Sequence, residues 1–136
     1  MSKRVLLSLV AVFVLSAATF VSAHEKIKLT GYVVDGMCAA DHTKDKSEEA
    51  MKFAAEHTKE CALMDDCVKS GYGIFADGKW YPFDDKGNKL AKAIFDKTSN
   101  KDHIKVTVEG MKHGDKILVE SLTEVKYKEY RFKEIN

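Results

Sequence analysis

Five strands and two helices, in the order strand-helix-strand-strand-helix-strand-strand, are what this sequence predicts, and three observations carry that reading. Apolar and polar residues alternate from Ile27 towards Val34 and again from His103 to Glu109, the two-residue period of a strand with one buried face. Asp77-Gly78 stands between two aromatic-rich runs, Tyr72 to Phe75 and Lys79 to Phe83, as in a tight hairpin. Between Ser47 and Gly71 the apolar residues recur at helical spacing instead, so a helix interrupts the strands.

Taken in order, the first strand runs from Ile27 to Val34 with Ile27, Leu29, Gly31 and Val33 on one face, and Gly31 marks a bend or a bulge. Asp35-Gly36 ends it and delivers Cys38, and a charged loop follows from Asp41 to Lys46. Ser47, with Glu48 and Glu49 behind it, starts the helix: a hydroxyl cap followed by acids at the positive end of the dipole. Ala50, Phe53, Ala54, His57, Cys61, Met64 and Val68 form its apolar stripe, and Gly71 stops it. Pro82 has no amide donor, so the second strand of the hairpin lies at an edge or bends there. A short helix over Lys89–Phe95 is expected with Asn88 as its cap. The last two strands, His103–Glu109 and Lys116–Thr123, are joined through a loop over 110–114. The tail from Glu124 to Asn136 fits a strand, a helix or a frayed end equally well. Taken together, this order is that of a mainly β, five-stranded Greek-key barrel of the oligonucleotide/oligosaccharide-binding (OB) type, with the first helix placed in the first connection.

The opening residues bear on the compartment. Lys3 and Arg4 precede an apolar run from Val5 to Phe20 that ends in Val21-Ser22-Ala23, the pattern of a cleaved secretory signal peptide over residues 1–23. Residues 24–136 then form a single domain in a periplasmic or secreted protein, with no stable membrane insertion after cleavage. Loss of Lys3 and Arg4 takes the formal net charge from +1 to −1, which argues against a nucleic-acid partner.

Chemistry concentrates between Asp35 and Cys67. That stretch holds all 3 cysteines and the histidines His42 and His57. In an oxidising compartment such a set means a disulfide, a metal site, or both, and an odd number of cysteines leaves one to stay free, bridge chains or bind metal. Cys38, His57, Cys61 and Cys67 are the candidate ligands: His57 and Cys61 lie four apart on the expected helix, and three thiolates with one imidazole suit tetrahedral zinc. Met37 or Met64 in place of a thiolate would suit cuprous copper. In the disulfide alternative Cys38 bridges to Cys61 or Cys67, because six residues of unbroken helix rise about 9 Å, beyond the roughly 7 Å reach between bridged Cα atoms.

The run Leu29 to Cys38, with His57-x3-Cys61 and Cys67-Val68-Lys69-Ser70-Gly71, resembles small exported bacterial proteins of uncharacterised function with an OB-like barrel. The resemblance covers mainly Leu29 to Phe83 and implies export and the barrel. It supplies no reaction. Those proteins often set the last two cysteines one helical turn apart, whereas five residues separate Cys61 from Cys67 here.

Other candidates carry less. His24 becomes the first residue if cleavage follows Ala23, and a terminal amine with its imidazole can chelate copper. His42 fits a surface loop. Trp80, Tyr81 and Phe83 fit either a stacking platform or core. No nucleophile elbow, phosphate loop or Cys-x2-Cys pair is present, so a non-enzymatic module is expected. Its Cys/His cluster would stabilise the barrel through a disulfide or bound zinc or copper. An unknown ligand or envelope protein would meet the barrel face or the 110–114 loop. The alternative is a thiol-active envelope protein, with Cys67 as the exchanging thiol because it flanks the stripe.

Overall fold

The computed structural model describes residues 24–44 and 47–126, so the expected signal peptide and the end of the tail lie outside the described residues. Strand β1 spans Glu25–Asp35 and is the centre of the sheet. Its alternation does what the sequence implies: Gly31 and Val33 are buried while Lys28 and Thr30 face out. The strand serves two neighbours in turn. Residues 25–32 pair with β4, Lys105–His113, and residues 32–35 pair with β2, Tyr72–Ala76. Gly31 sits at the changeover, where a Cβ would collide with the Phe75 carbonyl oxygen, so the close approach of β2 depends on a missing side chain.

Strand β3, Lys79–Pro82, pairs with β2 through the Asp77-Gly78 turn, where both residues have positive φ. Strand β5, Lys116–Glu124, pairs with β4. The result is a five-stranded antiparallel sheet in the order β3-β2-β1-β4-β5, with Pro82 on an edge strand as its missing donor requires. Only one parallel bridge, Phe83 to Ile117, links the two edges among the described residues, and no continuous ladder closes the sheet.

Five helices accompany the sheet among the described residues, where the sequence predicts two. Helix α1, Gly36–His42, takes up part of the expected loop, because the Asp35 carboxylate caps it by accepting from the Cys38 amide at 3.0 Å. The expected long helix is three short ones: α2 over Glu48–Glu56, α3 over Lys59–Ala62 and α4 over Asp65–Ser70. Ser47 caps α2 as expected, and Gly71, at φ 77, ends α4. The break at His57 comes from Thr58, whose hydroxyl accepts from the Cys61 amide and so begins a new helix. Asp65 and Asp66 mark the third start, with acids in its first turn.

Helix α5 spans Asp85–Lys97, starting earlier than expected because Asp84, accepting from the Gly87 amide at 2.9 Å, is the cap. Asn88 instead accepts from the Tyr72 amide. Gly110 lies inside β4 at a bulge, and the chain turns at Gly114, so the expected 110–114 loop shrinks to a tight turn.

The main core lies between α5 and the inner face of the sheet and includes Val33, Tyr72, Ile74, Phe83, Phe95, Val106, Val108 and Ile117. Phe83 thus belongs to core. A second cluster, Val34, Ala39, Ala50, Ala54 and Phe75, packs α1 and α2 against the opposite face. Consecutive residues Val33 and Val34 are both buried because each face of β1 is covered at this end, and Asp35 inherits that burial.

Candidate metal centre

Four chain segments converge at the covered end of β1. Asp35 is the last residue of the strand, Cys38 lies in the first turn of α1, Cys61 in α3 and Cys67 in α4. Helices α1 and α4 are held together by backbone. Gly36 donates to the Gly71 carbonyl at 2.8 Å, Met37 donates to Ser70 Oγ at 3.1 Å, and Ser70 Oγ donates to the Cys67 carbonyl at 2.7 Å. Helix α3 is fixed separately: the Tyr72 hydroxyl donates to the Ala62 carbonyl at 2.7 Å, and the Lys59 amide donates to the Lys101 carbonyl.

The outcome is a compact donor set. One ligand atom each from Asp35, Cys38, Cys61 and Cys67 lie within 4.8 Å of one another, a cluster that could hold a metal ion. The Cys38 and Cys61 sulfurs are 3.8 Å apart, and all three cysteines are free thiols. A tetrahedral ion about 2.3 Å from each sulfur would set two of them about 3.8 Å apart. Helix breaking makes this possible. In an unbroken helix Cys61 and Cys67 would stand about 9 Å apart and point in different directions, whereas the turn at Leu63 and Met64 between α3 and α4 folds them together.

His57 takes a different place from the one its spacing predicts. As the residue that ends α2, it turns away from Cys61 and presents Nε2 to Asp35 Oδ2 at 2.9 Å, with both side chains almost wholly buried. The distance is that of an ion pair, but the ring N–H misses the line of a good hydrogen bond, and Nδ1 meets no hydrogen-bond partner among the described residues. Phe53 packs against His57, and the exposed ring of His42 stacks on Phe53 with centroids 4.1 Å apart. His57 therefore adjoins the thiol cluster through Asp35.

Electrostatics follow from this crowding. Burial pushes the Asp35 carboxyl up, but His57 and the Cys38 amide outweigh it and hold the group below its ordinary range. Burial, then the Asp35 charge, then Cys61 push the Cys38 thiol well above its usual value. The same causes push Cys67 up to about 11. Both thiols thus keep their protons at neutral pH until a cation offsets the anionic surroundings. Cys67 is also the buried cysteine, at 4 % exposure, while Cys38 and Cys61 are partly exposed. That reverses the expectation of Cys67 as the accessible thiol.

The sequence misses Asp35. Its signal is the Asp-x2-Cys spacing, in which a carboxylate capping a helix necessarily faces the residue three further on. Met37 and Met64, the soft alternatives, are 49 % and 59 % exposed. Trp80 is partly buried and its indole donates to the Val34 carbonyl at 3.1 Å, which ties β3 to β1 behind the site. Among the described residues no helix is long and apolar enough to cross a membrane. No family model, curated protein or solved structure matches this chain. The chemistry of the site therefore rests on its own geometry.

Proposed function

We propose that this chain is an exported, non-catalytic module whose Asp35, Cys38, Cys61 and Cys67 hold one structural zinc ion. The observation that carries this reading is the approach of four donors from four separate segments to within 4.8 Å, with a sulfur separation equal to a tetrahedral edge. Three thiolates and a carboxylate form a borderline-soft set suited to zinc; cuprous copper would take the thiolates and leave the carboxylate out. His57 supports Asp35 from behind, as partners of ligating carboxylates do. Four protein ligands leave no open position, so the ion stabilises rather than catalyses. The strand order β3-β2-β1-β4-β5 with the parallel bridge from Phe83 to Ile117 supports reading the curved sheet as an OB-like barrel, pinned at its first connection by the ion.

A second reading draws on the same sulfurs. Cys38 and Cys61, 3.8 Å apart and partly exposed, need only side-chain rotation to approach bonding distance, and an exported protein meets oxidant. The chain would then be a thiol-active envelope protein with a bridge that forms and opens. Intact mass and metal content, measured together on exported protein purified without chelator, separate the two. Reduced thiols with about one zinc per chain support the first. A mass lower by about two hydrogens, without metal, supports the second, since a bridged sulfur is lost to a three-thiolate site.

A further inference from the structure

At the far end of β1 from the cysteines, His24 and His113 stand side by side. Register places them opposite each other: Glu25 pairs with Lys112 across β1 and β4, and His24 precedes the one as His113 follows the other. Directly opposed residues on antiparallel strands carry Cβ atoms about 4.5 to 5.5 Å apart, close enough for two imidazoles to reach one ion. The ring centroids are 5.1 Å apart with planes at 61°. With metal–nitrogen bonds of about 2.0 Å, two imidazoles on one ion have centroids about 4.4 Å apart at right angles and about 6.3 Å apart when opposed. The observed separation falls between these limits.

His24 is also the residue that follows the Val21-Ser22-Ala23 signature. Cleavage there frees its α-amine, which closes a chelate with its own imidazole and supplies a third nitrogen next to His113. We propose that His24 and His113 form a second metal site, taking cupric copper through the His24 amine and the two imidazoles once the chain begins at His24. The proposal shares the export reading with the function above and is independent of the cysteine cluster, which lies on the order of 30 Å away along β1. All-nitrogen donors in a tetragonal array select Cu(II), whereas the thiolate set selects softer ions. Lys116, the register partner of His113 on β5, is exposed, so its charge is screened.

The test begins with intact mass of the exported protein, which should show His24 as its first residue; any other first residue overturns the proposal. Cu(II) is then added below one equivalent to that protein. Expected are nitrogen hyperfine structure in the electron paramagnetic resonance spectrum and selective broadening of amide signals from 25–26 and 112–114. A fusion ahead of His24 that turns the amine into an amide should weaken Cu(II) binding roughly a hundredfold, and His113→Ala roughly tenfold or more, as loss of chelate members does. Unchanged affinity in both, or loss of the copper signal with oxidised thiols and no broadening near His24, overturns it.

Discussion

The carboxylate of Asp35 and the imidazole of His57 meet at 2.9 Å where neither has access to water. Asp35 also caps α1 through Oδ1, so one side chain ends the central strand, starts the next helix and anchors a buried ring. Removing one member of a buried pair leaves the other without compensation, at a cost of about 3 to 5 kcal/mol. His57→Ala should therefore lower the urea-unfolding free energy of the metal-free protein by about that much. A loss under about 1 kcal/mol would mean that Asp35 finds its compensation elsewhere.

The same pair makes stability depend on acid. Asp35 titrates below its ordinary 3.8 in the folded chain, so its contribution is fully present above that pH and is lost as pH falls through the lowered value. Urea unfolding of the metal-free protein from pH 5 downwards should show stability falling in this window. Asp35→Asn should remove that part of the slope, and an unchanged slope would assign the acid response to other carboxylates.

How far the sequence carries these points differs between sheet and site. The strands are legible because Ile27, Leu29 and Val33 repeat with period two and Asp77-Gly78 admits one kind of turn. The helices are legible as helix but not as three, since Ala50, Phe53, Ala54, His57 and Cys61 keep helical spacing straight through the break that Thr58 imposes. That break turns His57 towards Asp35, and the second break, at Leu63 and Met64, brings Cys61 to Cys67. The cysteines announce their chemistry by type alone. Asp35 does not, because an Asp-Gly pair at a strand end fits an ordinary turn, and only the packing of α4 onto α1 makes it a donor.

Gly31 offers a test of the fold apart from the site. A Cβ there would strike the Phe75 carbonyl, which is backbone within the β1–β2 ladder and cannot swing aside. Gly31→Ala should destabilise the protein by about 1 to 3 kcal/mol, in the range of overpacking, as read from the midpoint of urea unfolding. At Gly114, which has positive φ but open space, Ala should instead cost only about 1 kcal/mol of backbone strain. Equal effects at the two glycines would contradict the close approach at Gly31.

The thiols provide the last prediction, because they must lose protons before they can hold an ion. Burial and the Asp35 charge hold Cys67 at about 11 and Cys38 higher than usual, and zinc binds the deprotonated sulfurs. Each proton displaced makes the apparent zinc affinity rise about tenfold per pH unit, so competition with a chelator between pH 6 and 8 should give a slope of about two or more on logarithmic axes. A slope near zero would mean that no thiol proton is displaced and would remove the cysteines from the ligand set. In the metal-free protein Cys67, buried at 4 %, should react with a thiol reagent more slowly than the partly exposed Cys61. Added zinc should then protect all three, whereas a site made by Cys38 and Cys61 alone would leave the slow labelling of Cys67 unchanged.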